Sequence, residues 1–171
     1  MDAYMVVLRI IHIFAGVFWV GASFSLVGYI APSIAATADA GRTVMSHLMF
    51  KTGFSPALGI AGILTTVTGL LMYWEIFGFR SGAFSSGYGV ALSIGALAGI
   101  LALIAGFAFQ FASIRKMKAI NQEVASSGGQ PSPDQMAELG RQGDRVALGG
   151  RIGVVLMTIA LIGMSTAQYL G

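Results

Sequence analysis

The chain has 171 residues, of which 56% are hydrophobic and 10% are charged, and its formal net charge is +3. Soluble domains carry about 25% charged residues, so this composition excludes an ordinary soluble domain and indicates a single integral membrane domain. The sequence contains no cysteine, which excludes disulfides, iron–sulfur clusters and thiolate metal sites. The net charge comes from a few lysines and arginines that do not indicate nucleic-acid binding, and the predicted partner is the lipid bilayer.

Four long apolar runs are predicted to cross the membrane, at about residues 4–30, 54–74, 88–114 and 150–170. A helix needs roughly 20 apolar residues to cross a bilayer, and irregular backbone cannot face lipid. The first run is too long for a signal peptide and follows Asp2 rather than a basic segment, so we expect it to be retained. The sequence therefore predicts an all-α integral membrane four-helix bundle, a single domain over residues 1–171.

The first run carries a stripe of polar and small residues. An arginine and a histidine inside an apolar run are costly and tend to mark function. At about 100° per residue, one helical face holds Arg9, His12, Gly16, Trp19 and Ser23. We expect this face to contact other helices rather than lipid.

Residues 32–53 are predicted to form a polar loop, after Ala31-Pro32-Ser33 ends the first helix. This loop holds His47, the only histidine besides His12. His47 is interpreted either as a solvated or interfacial side chain or as a second metal or haem ligand. Geometry weighs against pairing it with His12, because Ile30 alone lies about 27 Å along the helix axis from His12 at about 1.5 Å per residue.

The second and third runs contain small and hydroxyl residues that favour close helix packing. In the second run, Thr65 and Thr68 either bond to their own backbone or line a ligand pocket. In the third run, Gly95 and Gly99 form a GxxxG pattern, which indicates close packing within the chain or in a dimer.

The polar stretch at about residues 115–149 is predicted to form a cytoplasmic helical hairpin between helices three and four. The residues Ser126-Ser127-Gly128-Gly129-Gln130-Pro131 form a helix-breaking cluster. Ser132 then suits a helix N-cap, Pro133 the first helical position and Gln135 the third. A helix from Pro133 runs directly into the fourth span. The charges of the hairpin are expected to form either a solvated face or a surface that docks a partner.

Basic residues are distributed unequally between the two sides of the predicted bundle. Eight lie in the first and third loops or their flanks, and two lie on the opposite side. The eight are Arg42, Lys51, Arg115, Lys116, Lys118, Arg141, Arg145 and Arg151, and the two are Arg9 and Arg80. Because lysine and arginine favour the cytoplasmic side, we expect a multi-pass protein of the cell inner membrane with both termini outside.

His12, followed after six residues by Trp19-Val20-Gly21, resembles a pattern of small four-helix membrane proteins. These are the copper-resistance D-like family and the oxygen-independent protoporphyrinogen oxidase of bacteria. Thr68-Gly69 late in helix two is similar to the same pattern, as is the proline-containing hairpin between helices three and four. The resemblance covers most of the chain, and it implies that His12 binds b-type haem or copper.

The chain lacks one residue that the oxidase family has, a third-helix lysine that matters to haem and activity. No lysine lies between Tyr88 and Ile114, so we expect no protoporphyrinogen oxidation by this chain. Copper transport would need a ladder of methionines or histidines, which the sequence does not have. Haem b is therefore preferred to copper.

The leading hypothesis is a haem b-binding or electron-transfer-associated membrane protein with His12 as axial ligand near the outer face. Arg9, one turn outward, either pairs a haem propionate or snorkels to the interface. Met164 falls near the depth of His12, and the thioether of Met164 or of Met72 is a candidate second ligand. The alternatives are a five-coordinate iron or a ligand supplied by a partner. His12 itself is alternatively a buried histidine that bonds to a backbone carbonyl or a hydroxyl.

A haem pocket would lie at the depth of His12, bounded by all four helices. Thr65 and Thr68 are expected to line it, Gly16 and Gly95 to leave space, and Trp19 to form its floor.

Two other classes of function remain open. One is a cofactor-free accessory or structural subunit of a larger membrane complex. It is indicated by the few polar groups and many glycines of the apolar runs, and by a hairpin that could dock a partner. The other is a metal or small-solute permease, which needs a polar path that the inner half barely provides. In each case we expect a homo-oligomer or membership of a membrane complex.

Overall fold

The computed structural model describes residues 2–78 and 81–171, without the side chains at positions 38, 39, 81 and 82. Within these limits the chain forms five helices, one short 3-10 turn at Ser81–Phe84, and no strand. The helices are α1 (Ala3–Ala36), α2 (Ala38–Lys51), α3 (Phe54–Phe77), α4 (Gly87–Ser127) and α5 (Pro133–Tyr169). Four of them, α1, α3, α4 and α5, are long and apolar enough to cross a membrane. Arg80, one of the two basic residues assigned to the outer side, lies outside the described residues.

The first helix is longer than predicted, because it continues through Pro32 to Ala36 instead of ending near residue 30. Its hydrogen bonding changes to the wider π-helical pattern over Leu26–Ile30, and the Ala31 N–H bonds to the Leu26 carbonyl. In a regular helix, proline lacks the N–H and clashes with the carbonyl four residues before it. The wider turn directly before Pro32 relieves this clash, so the helix passes the proline without ending.

The predicted polar loop at residues 32–53 is wrong over most of its length, because Ala38–Lys51 forms the helix α2. This helix has only 14 residues and is polar, so neither length nor apolar periodicity marked it in the sequence. The Thr37 hydroxyl joins α1 to α2 by bonding back to two carbonyls of α1, each at 3.1 Å. Gly53, with a left-handed φ of 75°, turns the chain from α2 into α3. His47 is exposed on α2.

The capping residues predicted for the polar stretch begin α5 as expected. Ser132 Oγ accepts a hydrogen bond from the Gln135 backbone N–H at 3.2 Å, and Gln135 Oε1 accepts one from the Ser132 N–H at 2.9 Å. Pro133 occupies the first turn. From there α5 continues into the apolar span, and α4 in turn extends from its own span through the polar stretch to Ser127.

The long helices pack most extensively in two antiparallel pairs, α1 with α3 and α4 with α5. In the second pair, Gly163 lies so close to α4 that a Cβ added there would be 3.1 Å from the Gly95 backbone. The close packing predicted at Gly95 is confirmed, whereas no neighbour of Gly99 within residues 2–78 and 81–171 comes within 4 Å of its Cβ position. The two pairs meet in a buried cluster to which each long helix contributes one residue: Trp19, Ala61, Ala102 and Met157.

Candidate functional site

The polar stripe of α1 faces α3 over three successive contacts. Trp19 lies against Gly62, Gly16 against Thr65, and His12 against Gly69. Because the two helices run in opposite directions, each step toward the start of α1 is a step toward the end of α3. Small residues on one side of each contact allow the helices to approach closely.

The His12 imidazole is held by a hydrogen bond across the α1–α3 interface. Its Nδ1 lies 2.8 Å from the backbone carbonyl oxygen of Thr65. A carbonyl oxygen can only accept, so Nδ1 carries the proton and donates it. In the neutral ring Nε2 therefore keeps its lone pair, and no described residue hydrogen-bonds to it. The side chain is half-buried.

Thr68 supports the same bond from one turn further along α3. Its hydroxyl donates to the Leu64 carbonyl at 2.6 Å, and its oxygen lies 3.4 Å from His12 Nδ1. Since the hydroxyl proton is directed to Leu64, the oxygen faces Nδ1 as a second acceptor. The Thr65 hydroxyl likewise donates to its own helix, to the Ala61 carbonyl at 2.8 Å. Both threonines thus bond to their own backbone and together orient the imidazole.

Gly69 is a site residue that the sequence reasoning missed, although it belongs to the Thr68-Gly69 pair noted there. A Cβ at this position would lie 2.8 Å from His12 Cε1 and 3.2 Å from Nδ1. The glycine therefore opens the notch through which the ring reaches the Thr65 carbonyl. The pairing follows from the antiparallel register of the structure: His12 lies four residues before Gly16 on α1, and Gly69 lies four residues after Thr65 on α3.

The other two predicted site residues lie apart from this hydrogen-bonded group. Arg9 is exposed on α1, about one helical turn before His12, and makes no ion pair with a described residue. Met164 lies at the other interface, where its Cγ is 3.1 Å from the Cβ position of Gly95 on α4. The α1–α3 interface thus gathers five of the seven predicted residues: His12, Gly16, Trp19, Thr65 and Thr68.

Neighbouring groups take up the space that was expected beside the glycines. A Cβ at Gly16 would lie 3.4 Å from Thr65 Cγ2, and Met164 fills the space beside Gly95. Trp19 is buried, with its ring over Gly62. These glycines serve helix packing.

The donor chemistry of His12 fits a haem ligand. Within residues 2–78 and 81–171, no group of three or more histidine, cysteine, aspartate or glutamate side chains could hold a metal ion. Haem iron differs from such sites, because a proximal histidine can supply its only protein ligand. A histidine that binds a metal commonly donates its other ring N–H to a carbonyl or carboxylate. His12 Nδ1 makes this type of bond to Thr65.

Comparisons with protein-family models, with curated proteins and with solved structures find no match to this chain. A role for His12 therefore depends on the geometry of its own site.

Proposed function

We propose that this chain is a multi-pass membrane protein that binds b-type haem, with His12 Nε2 as the axial ligand. The observation that carries the proposal is the 2.8 Å contact between His12 Nδ1 and the Thr65 carbonyl oxygen. This bond orients the ring and leaves the lone pair on Nε2, as in ligating histidines. The resemblance of His12 and Trp19-Val20-Gly21 to small four-helix membrane proteins linked to haem supports the same conclusion.

In this proposal each residue around His12 has one role. Thr65 and Thr68 hold Nδ1, and Gly69 provides the space that the ring needs. Arg9 is exposed one turn away, and its guanidinium would pair a propionate carboxylate. Bound haem would supply one-electron transfer, while the protein sets the axial ligand and the nearby charge.

In the membrane, α1, α3, α4 and α5 form a four-helix bundle in the cell inner membrane. Their apolar length supports four crossings, and the buried cluster shared by all four supports one assembly. The polar halves of α4 and α5 form the cytoplasmic hairpin, supported by the 3.0 Å ion pair between Lys116 and Glu138. The distribution of basic residues orients both termini outside.

The absorption spectrum of the purified protein tests the haem proposal. Protein expressed with ample haem should show a Soret band and a pyridine haemochrome of b type. His12→Ala should lose the haem and still insert in the membrane. His47→Ala is the matched control, because it removes the other histidine, which is exposed on α2, and should retain the haem.

Two results would contradict the proposal. One is a colourless wild-type protein after haem-replete expression. The other is full haem retention in the His12→Ala protein, which would place the ligand elsewhere.

A cofactor-free accessory subunit of a larger membrane complex is the second candidate. It is favoured by the hydrogen bond of His12, since the same bond stabilises the α1–α3 pair without any ligand. In that case the wild-type protein shows no Soret band, and His12→Ala does not change its visible spectrum. The substitution still lowers the thermal unfolding midpoint. Unfolding and absorption measured on the same two proteins therefore separate the candidates.

A further inference from the structure

A small cavity lies where the four long helices meet, away from His12 and toward the polar stretch of α4 and α5. Its volume is about 30 Å³. All four long helices contribute to its walls, including Trp19 and Ser23 of α1, Leu58 of α3, Gln110 of α4 and Gly153 of α5.

The polar side chains of Ser23 and Gln110 line this cavity. Both are half-buried, and neither makes a hydrogen bond to a described residue through its side chain. An amide or hydroxyl without a partner in an apolar environment is unfavourable, and the interior of a bilayer offers no solvent to replace one. A hydrogen-bonding partner inside the cavity would satisfy both groups.

Both π-helical segments of the described chain border the cavity. Leu26–Ile30 of α1 contributes Val27, and Gly106–Phe111 of α4 contributes Gly106 and Gln110. Single π-helical turns inside longer helices occur often at functional sites, because they displace side chains from the regular helical register. In α4 the π-helical segment carries Gln110 into the cavity wall.

Of the three α5 glycines that line the cavity, only Gly153 leaves open space beside it. Gly149 and Gly150 are packed, because a Cβ there would meet Phe109 and Val27 respectively. Gly153 also lines the cavity, yet no packed neighbour among the described residues comes within 4 Å of its Cβ position. A single methyl group at residue 153 would therefore fit without a clash and take up part of the cavity.

We propose that this cavity is a binding site for water, bound by the Gln110 amide and the Ser23 hydroxyl. A cavity of about 30 Å³ suits one or two water molecules, since one needs at least about 10–15 Å³. The amide offers two donors and an acceptor, and the hydroxyl offers a donor and an acceptor, which matches the two to four bonds of a buried water. The site is independent of the haem proposal.

A Gly153→Ala substitution in the full-length protein tests the site. If water bridges the polar groups, the new methyl group displaces it and leaves Gln110 and Ser23 unpaired. The thermal unfolding midpoint in detergent should then fall by about 2–4 °C. The matched control is Gly99→Ala on α4, which lies outside the cavity lining. No packed neighbour in the described part of the chain comes within 4 Å of its Cβ position, so this change should leave the midpoint unchanged or raise it.

A second comparison shows whether the polar groups are the cause. In a Gln110→Leu, Ser23→Ala background the cavity is apolar, so adding Gly153→Ala should fill it favourably and raise the midpoint. In the wild-type background, a midpoint for Gly153→Ala as high as or higher than that of the Gly99→Ala control would overturn the proposal, because it would indicate a dry void. An equal fall of the midpoint in both backgrounds would also overturn the proposal, since the fall would then not depend on the polar groups that bind water.

Water contact at Gln110 can also be measured directly, which decides the question even if a variant fails to fold. In wild-type protein in lipid nanodiscs, the Gln110 side-chain amide should show a nuclear Overhauser effect to water. Its signal is assigned by its disappearance in the Gln110→Leu protein. Absence of the effect in the wild type would overturn the proposal.

Discussion

At the scale of single residues, the position of His12 depends on the glycine at position 69, which has no side chain. The imidazole reaches the Thr65 carbonyl only because Gly69 has no Cβ. Hydrogen bonding then determines which ring nitrogen carries the proton, and with it which nitrogen is free to bind a ligand. One glycine thus decides both the packing and the chemistry of the histidine.

Replacing Gly69 with alanine should displace the His12 ring and lengthen its bond to Thr65. Overpacking of this kind costs about 1–3 kcal/mol, so we expect a loss of that size in the free energy of unfolding, measured in detergent. Gly59→Ala on the same helix is the control, because none of the described residues packs within 4 Å of its Cβ position. Equal stability of the two variants would show that the ring adapts without loss.

Ser113 and Ser93 on α4 should respond to alanine in opposite directions. The Ser113 hydroxyl is buried, at 1% exposure, and has no hydrogen-bond partner among the described groups. Ser113→Ala removes this unpaired group and should raise the free energy of unfolding by about 1 kcal/mol. Ser93 bonds to both the Tyr73 hydroxyl and the Gly89 carbonyl at 2.7 Å, so Ser93→Ala should lower it by about 1–3 kcal/mol. A loss on Ser113→Ala would contradict this reading and point to a partner for its hydroxyl.

At the scale of helices, the polar halves of α4 and α5 are joined through one carboxylate. Glu138 lies in the polar first half of α5, well before the apolar part that begins near Gly149. It accepts from Arg141 Nε at 2.9 Å, from Lys116 Nζ at 3.0 Å and from the Gln142 amide at 2.8 Å. The hydrogen bonds from Arg141 and then Lys116 lower the pKa of Glu138 from 4.5 to about 2.

This lowered pKa makes the contact between the helices depend on pH. The folded state favours the ionised carboxylate, so its contribution is fully present above about pH 4.5 and decreases as the pH falls toward 2. Between pH 6 and pH 3, the thermal unfolding midpoint should therefore fall further for the wild type than for Glu138→Gln. The other carboxylates titrate in both proteins, so the difference isolates Glu138. Parallel pH profiles would show that these bonds do not stabilise the helix contact.

At the scale of the whole molecule, two antiparallel helix pairs meet at a shared cluster, and each pair has its own polar feature. The α1–α3 pair holds the His12 site, and the polar halves of α4 and α5 extend beyond the apolar spans. The function proposed for His12 near the outer face requires that these polar halves lie in the cytoplasm. The orientation of the chain is therefore a direct test of the arrangement.

A single cysteine placed in this cysteine-free chain should report that orientation. Ser127→Cys, at the exposed end of α4, should be protected from an impermeant thiol reagent in intact cells and should react after lysis. Gly171→Cys at the C-terminus should react in intact cells. The reverse pattern would invert the topology and place His12 near the cytoplasmic face.

By itself the sequence determined the four apolar spans and the start of α5, because apolar length and the Ser132–Gln135 cap act locally along the chain. It also singled out His12 and the two threonines near it. Only the tertiary structure decided that α1 passes Pro32, that α2 is a helix, and that Gly69 is the notch for His12. The Gly69 notch depends on which residue faces it across the α1–α3 interface, and the path of the chain through α1 and α2 depends on the hydrogen bonds of the π-helical turn and of Thr37. Hydropathy and spacing along one helix do not contain that information, because a glycine in such a helix can open a notch, pack against a backbone or border a cavity.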